Sequence, residues 1–409
     1  MTRGAPPFAF FFLHLCTAWP VGVVALAMGN RLVQAGVPVQ QTASIIAAAL
    51  LPFSFEFMWA PLVDGCLTRR IWYIGGVVLM AVCLAALLVA PWRSAAVPLM
   101  TLLAFCSCSG AAIGAVAVKG IMAHEVPAAR IGAASGFYTA GNVAKAIGGS
   151  GTLWLLTHLD SRPVVAALSV TTAALAGGAI LFCSSGRPVP LRELPVGLRA
   201  ALVELWDLIR TPAGLLITVL CAVPFGSASE AGLVGAIARE WSVTPDQLAF
   251  FGILGAVAGV AGALFSGWLA GYIGAWKVYL VHGWAMIAAM AYLAFAPREA
   301  GYFIGVELLY RGMASACYAA LLGIIMAAIG RGAASTKAAA LWSLANFASA
   351  YPTVIDGAVH DHVGTRAMLL TDAGLGVAGF GVLLVAARLL RVRFSGPIAH
   401  ARHTADGRH

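Results

Sequence analysis

The chain has 409 residues, of which 61% are apolar and only 10% charged, with a mean hydropathy of +0.90. Soluble domains are about 45–50% apolar and about 25% charged, so this composition excludes a water-soluble enzyme, a secreted disulfide scaffold, a disordered chain and a nucleic-acid binder. The formal net charge of +9 then reads as membrane topology, because Lys and Arg favour cytoplasmic loops.

A helical span needs about 20 apolar residues. Taken in chain order, such segments predict helices near 8–29, 38–62, 71–91, 95–118, 131–157 and 163–184, then 212–237, 248–273, 277–296, 300–328, 336–358 and 368–390. The first apolar run outlasts the core of a signal peptide and is read as a span. The expectation is an all-α integral membrane protein of twelve transmembrane helices. With the N-terminus inside, the Lys and Arg residues divide 17 to 6 in favour of the cytoplasm, Lys145 and Arg311 falling within spans. That split predicts a multi-pass inner-membrane protein with both termini cytoplasmic. The eight cysteines form no CxxC pair and read as reduced packing residues. No metal site and no cofactor are expected, and no phosphate-binding GxxxxGK[ST] loop is present that would supply ATP hydrolysis.

The longest polar connection, 185–211, carries Pro188, Pro190, Pro195 and an amphipathic stretch from Leu198 to Ile209. It divides the chain into an N-terminal six-helix bundle (1–184) and a C-terminal one (212–390), with a basic cytoplasmic tail (391–409). Asp64-Gly65 followed by Arg69-Arg70 lies between spans 2 and 3, and Ala270-Gly271 followed by Trp276-Lys277 lies between spans 8 and 9. A repeat of two pseudo-symmetric six-helix bundles with one marker at the same turn resembles the major facilitator superfamily. In that superfamily the marker loop, here Asp64, Arg69 and Arg70, holds one state of the transport cycle through contacts between helices.

Four stretches carry a closer resemblance. Glu56-Phe57-Met58-Trp59-Ala60-Pro61-Leu62-Val63-Asp64 is similar to K-F-L-W-[SA]-P-L-x-D, and Ala104-Phe105-Cys106-Ser107 to the start of a helix 4 signature. Glu307 to Ala316 is similar to E-x-x-x-G-G-M-G-T-A, and Thr336 to Leu344 to T-Q-x-A-L-x-S-L. These are motifs of the AmpG-type muropeptide permeases and their acetyl-CoA transporter relatives. The resemblance implies a permease that imports a bulky polar metabolite. The departures concern charge: Ala111 and Ala115 replace a pair of acids, Glu56 replaces a lysine, and Lys145 stands a turn beyond the position of an arginine.

Ionisable groups at membrane depth are costly and mark function by default. Glu307 and Arg311 are four apart on one helix face and read either as a functional pair or as a static one. Glu56 and Lys145 read as substrate- or proton-handling groups, or as a structural bridge. Glu230 and Asp356, near the outer ends of their helices, read as gate residues or as groups snorkelling to water. His14 and His282 read as packing residues or proton relays. Pro20 and Pro224, at an offset of 204 in the two halves, interrupt helices 1 and 7 and mark hinges, since paired interruptions point to a binding region. Trp19, Ser227 and Ser229 would line it, and Asn142, Tyr310, Asn346 and Tyr351 would add hydrogen-bonding groups.

Together these residues predict a secondary transporter working by alternating access on a small polar or anionic solute. The coupling ion is expected to be a proton, with Glu307 and then Glu56 as carriers, and the working unit a monomer in the lipid bilayer without nucleic-acid partners. A drug or metabolite exporter of the same fold and a non-transporting membrane receptor are the alternatives.

Overall fold

The computed structural model describes residues 5–392 apart from 38, 91–96, most of 159–193, 228–236 and 331. The predicted span 163–184, the gate residue Glu230, its neighbour Ser229 and the basic tail therefore lie largely or wholly outside the described residues. The described chain is all helical, and each other predicted span coincides with a helix or a set of helical pieces.

Helix α1 (Ala9–Gly22) contains Pro20 and passes without a cap into a π-helical turn, Val23–Met28, and then α2 (Gly29–Gln34). Proline has no N–H to offer the preceding turn, and the wider π turn follows directly. The second span bends by 42° between α3 (Val39–Ser54) and α4 (Glu56–Gly65). Phe55 leaves helical geometry at φ −111°, ψ 28°. That break sets Glu56 in the first turn of α4, where the helix dipole favours an acid. Helix α5 (Arg69–Val89) is capped by Thr68, whose hydroxyl accepts from Ile71 N at 3.2 Å. Helix α6 (Val97–Glu125) runs unbroken for 29 residues.

The fifth span comes in pieces: α7 (Ile131–Ala140), α8 (Val143–Ala146), a second π turn (Ile147–Gly151) and α9 (Thr152–His158). Helix α10 (Leu194–Arg210) precedes α11 (Pro212–Ala222), which is capped by Thr211 and ends in extended backbone at Val223. Then come α12 (Pro245–Ile273), α13 (Ala275–Leu293), α14 (Ala300–Ile329), α15 (Ala334–Val363) and α16 (Thr365–Leu389).

Six of these helices, Ala9–Leu32 counted as one, are long and apolar enough to cross a membrane, and up to eight if each of two bent pairs is one span. Small residues set how closely they pack, as in membrane bundles where backbones approach through glycine. A Cβ on Gly76 of α5 would stand 2.6 Å from the Gly110 carbonyl of α6. Gly132 and Gly136 of α7 meet Gly267 of α12 in the same way, a Cβ on Gly267 falling 2.7 Å from the Gly132 carbonyl.

Contacts sort the described residues into two compact units. The first takes those of 1–126, 141–205 and 331–343; the second takes those of 127–140, 206–330 and 344–409. Helix α7 thus packs with the second unit and α8 with the first, while the opening turns of α15 pack with the first.

Candidate functional site

In the first unit the interrupted helices bring five polar side chains from four different helices together. Glu56 of α4 forms an ion pair with Lys119 of α6, and both side chains are almost wholly buried. Lys119 Nζ also lies 5.4 Å from the centre of the Trp342 ring at the start of α15, a cation–π contact. His14 of α1 faces Thr17 Oγ1 through Nδ1 at 3.1 Å and Asn142 Oδ1 through Nε2 at 3.4 Å. Lys145, on α8 just past that asparagine, is exposed. Its charge nevertheless acts on Glu56 and on His14. An exposed lysine within electrostatic reach of an acid on α4 and an imidazole on α1 faces polar side chains, not lipid tails.

Local backbone explains this placement. The two π turns pack against each other across helices α1 and α8–α9, with Gly22 against the Lys145 carbonyl and Gly149. A Cβ on Gly148 would meet the Trp19 carbonyl at 2.6 Å. Glycine at 148 and 149 therefore lets the strand of helix that carries Lys145 lie directly on α1. Isolated π turns recur at functional sites because they re-aim side chains at small cost. Trp19 itself is 9% exposed and packs with Val23, Val24 and Leu156 in the apolar core of this unit.

Lys119 is the residue that sequence reasoning missed. Counted there as a cytoplasmic loop cation, it lies inside α6 and is 1% exposed. It sits at the end of an apolar run, which concealed it. The signal that would have found it is Glu56, an acid deep in a span that requires a counter-charge.

The marker loop closes on a partner that the motif did not announce. Asp64 bonds Arg69 at 2.9 Å through one oxygen, and the other accepts from Thr336 N at 2.7 Å and from Thr336 Oγ1 at 3.0 Å. Thr336 stands in the first turn of α15, so the carboxylate satisfies an N–H that the helix cannot and lies at the positive end of its dipole.

In the second unit Pro224 requires a correction. The sequence places it inside helix 7; in the structure it lies beyond the end of α11, because the residue before a proline is driven from helical geometry. Val223 is extended at ψ 147°, and Gly226 has φ +70°, a conformation open to glycine. The carbonyls freed by this break are taken up by hydroxyls. Tyr279 of α13 donates to Phe225 O, Tyr318 of α14 (at 3.0 Å) and Ser349 of α15 donate to Ser227 O, and Tyr351 donates to Ala222 O at 3.2 Å. Tyr279, Tyr318 and Ser349 went unnoticed in the sequence, where hydroxyls within apolar runs look like packing.

The other predicted residues are distributed over the second unit. Glu307 and Tyr310 are buried in α14. Arg311 reaches to α12, its guanidinium 4.8 Å from the centre of the Phe251 ring and its Cδ over Gly255. Asp356 is buried in α15, within electrostatic reach of Asp372 on α16, and Asn346 is half-buried on α15. His282 is buried and faces the Val278 carbonyl at 2.7 Å through Nδ1. No group of three or more His, Cys, Asp or Glu side chains among the described residues is arranged to hold a metal ion.

This architecture is the major facilitator fold. The chain superposes on a crystal structure of the human organic anion transporter MFSD10 with a TM-score of 0.66 at 17% identity, covering 93% of this chain and 99% of that one. A bacterial homologue of the iron transporter ferroportin in an outward-facing state gives 0.64 at 16% identity over 93% of this chain and 98% of that one. The major facilitator superfamily transporter FucP gives 0.67 at 15% over 94% and 97%. No family model and no curated protein matches the chain.

Proposed function

We propose that the chain is a secondary active transporter that moves a polar or anionic metabolite by alternating access, with Lys145 as the group that receives the solute's negative charge. The supporting observation is an exposed lysine carried within a membrane helix, beside a Glu56 whose charge is already matched by Lys119. Lys119 and Glu56 cancel, so the positive charge of Lys145 is left over for a ligand. Asn142 and His14 stand beside it with hydrogen-bonding capacity. One structure of the same fold carries the description of an organic anion transporter, which agrees with this reading.

The four AmpG-like motifs favour import across the inner membrane of a peptidoglycan fragment, a siderophore or an acyl-CoA-like anion, driven by protons. Glu307 and then Glu56 are the acids in position to carry them. The two six-helix repeats, 1–184 and 212–390, would rock about Pro20 and the break at Pro224, with both termini cytoplasmic and the protein working as a monomer. Asp356 and Glu230 would act at the gate.

The test is uptake of radiolabelled members of these three classes by proteoliposomes, with and without a proton gradient. Lys145→Ala and Arg311→Ala should lose uptake of the transported anion while retaining the folded state. Uptake unchanged in both variants would overturn the anion reading. Binding without flux would make the chain a receptor, and accumulation in the opposite direction an exporter.

A further inference from the structure

Helix α10 has a construction different from that of the spans. Its outward arc carries Val196, Leu202, Val203 and Trp206, all large, apolar and 49–72% exposed. Arg199 and Arg210 are exposed on the same arc, and the Arg210 guanidinium lies 4.7 Å from the centre of the Trp206 ring. The chain then turns by 91° into the apolar helix α11. A helix carrying Arg199, Glu204, Asp207 and Arg210 does not continue a span, because each charge at the centre of a bilayer costs about 2.5–3.5 kcal/mol. A right-angle turn beside an apolar span instead lays it along the membrane surface. Apolar side chains, a tryptophan and arginines on one face are the chemistry of a helix seated at the headgroup boundary.

The inward side of the same helix is fixed to the marker loop. Gly197 lies so close to Gly65 that a Cβ there would come within 2.7 Å of the Gly65 Cα. Glu204 forms an ion pair with Lys337 at 3.1 Å and lies against Gly332. Gly65 adjoins Asp64, and Lys337 adjoins Thr336, so α10 holds both sides of the Asp64–Thr336 contact.

We propose that α10 is an interfacial anchor for anionic lipid headgroups, and that its seating on the membrane surface stabilises the Asp64–Thr336 latch. The occupant is the lipid surface, chosen on the pairing of exposed arginines with exposed apolar side chains. The proposal rests on the membrane-spanning reading of the chain and on no feature of the transported solute.

The test is hydrogen exchange of the full-length protein in nanodiscs holding one copy each, made with phosphatidylglycerol or with phosphatidylcholine alone. Each arginine near an anionic surface contributes about fivefold in binding, and the pair roughly 25-fold. Amides of 195–210 should therefore exchange at least several-fold more slowly in the anionic discs, and those of 61–69 and 332–340 should follow in the same direction. Arg199→Glu/Arg210→Glu should abolish the lipid dependence. Equal exchange in the two lipids, in the wild-type protein alone, would overturn the proposal, as would a difference that survives in the double variant. Lipid-dependent exchange in 195–210 without any change at 61–69 and 332–340 would overturn the link to the latch. A failure of solute uptake leaves all of these readouts unaffected.

Discussion

Both halves of the molecule interrupt their first helix, and they repair the interruption with different chemistry. After Pro20 the backbone stays helical by widening into a π turn, and the space it frames holds Lys145, His14, Asn142 and the Glu56–Lys119 pair. After Val223 the backbone leaves the helix altogether, and uncharged hydroxyls from three helices take up its carbonyls. Within a membrane every freed backbone group needs a partner, and the hydroxyls of Tyr279, Tyr318, Ser349 and Tyr351 meet that need. The first interruption is organised around charge and the second around neutral hydrogen bonds. The charge of a solute should therefore be read in the first unit, and the second should be insensitive to it.

The sharpest way to break this contrast is Glu56→Gln, which leaves Lys119 buried without its counter-charge. Removing one partner of a buried pair costs about 3–5 kcal/mol, and thermal unfolding in detergent should show the largest loss of any substitution considered. The double variant Glu56→Gln/Lys119→Met should recover most of that loss, because the desolvated charge is gone. A double variant as unstable as the single one would show that the pair is not the source of the cost.

Lys145→Met tests charge without burial. It should leave the unfolding temperature near that of the wild-type protein while weakening binding of an anionic solute by about 2 kcal/mol or more, as read by isothermal titration with a transported anion. An equal effect on an uncharged analogue would remove the contrast between the units. Tyr279→Phe, in the second unit, leaves the Phe225 carbonyl buried and should cost about 1–3 kcal/mol of stability. Its effect should be the same for charged and neutral solutes. The smallest effect is expected of Ser349→Ala, about 1 kcal/mol or less, since Tyr318 still donates to the Ser227 carbonyl.

What was legible in the sequence was what depends on neighbours along the chain. Apolar runs of about 20 residues announce helices, so the all-helical membrane fold could be read directly, as could the isolated charges Glu56, Lys145 and Arg311 within those runs. Lys119 could not, because its burial depends on an acid 63 residues away. Asp64 was recognisable by motif, whereas Thr336, 272 residues on, was not. Pro20 and Pro224 look alike in sequence. One is absorbed by a π turn, and the other ends its helix where an extended Val223 and Gly226 offer the chain a way out.

The π turn at Ile147–Gly151 has a consequence for the register of the helix that carries it. Such a turn holds one residue more than α-helical geometry would place there, and each residue of an α-helix advances the phase by about 100°. Deleting a single residue between Ile147 and Gly151 would therefore restore a regular helix and rotate everything upstream, Lys145 and Asn142 included, by about 100° relative to α9. The direction in which the lysine points is thus stored in a count of residues rather than in any one side chain. An insertion or deletion here would change what the site recognises while leaving every named residue in place.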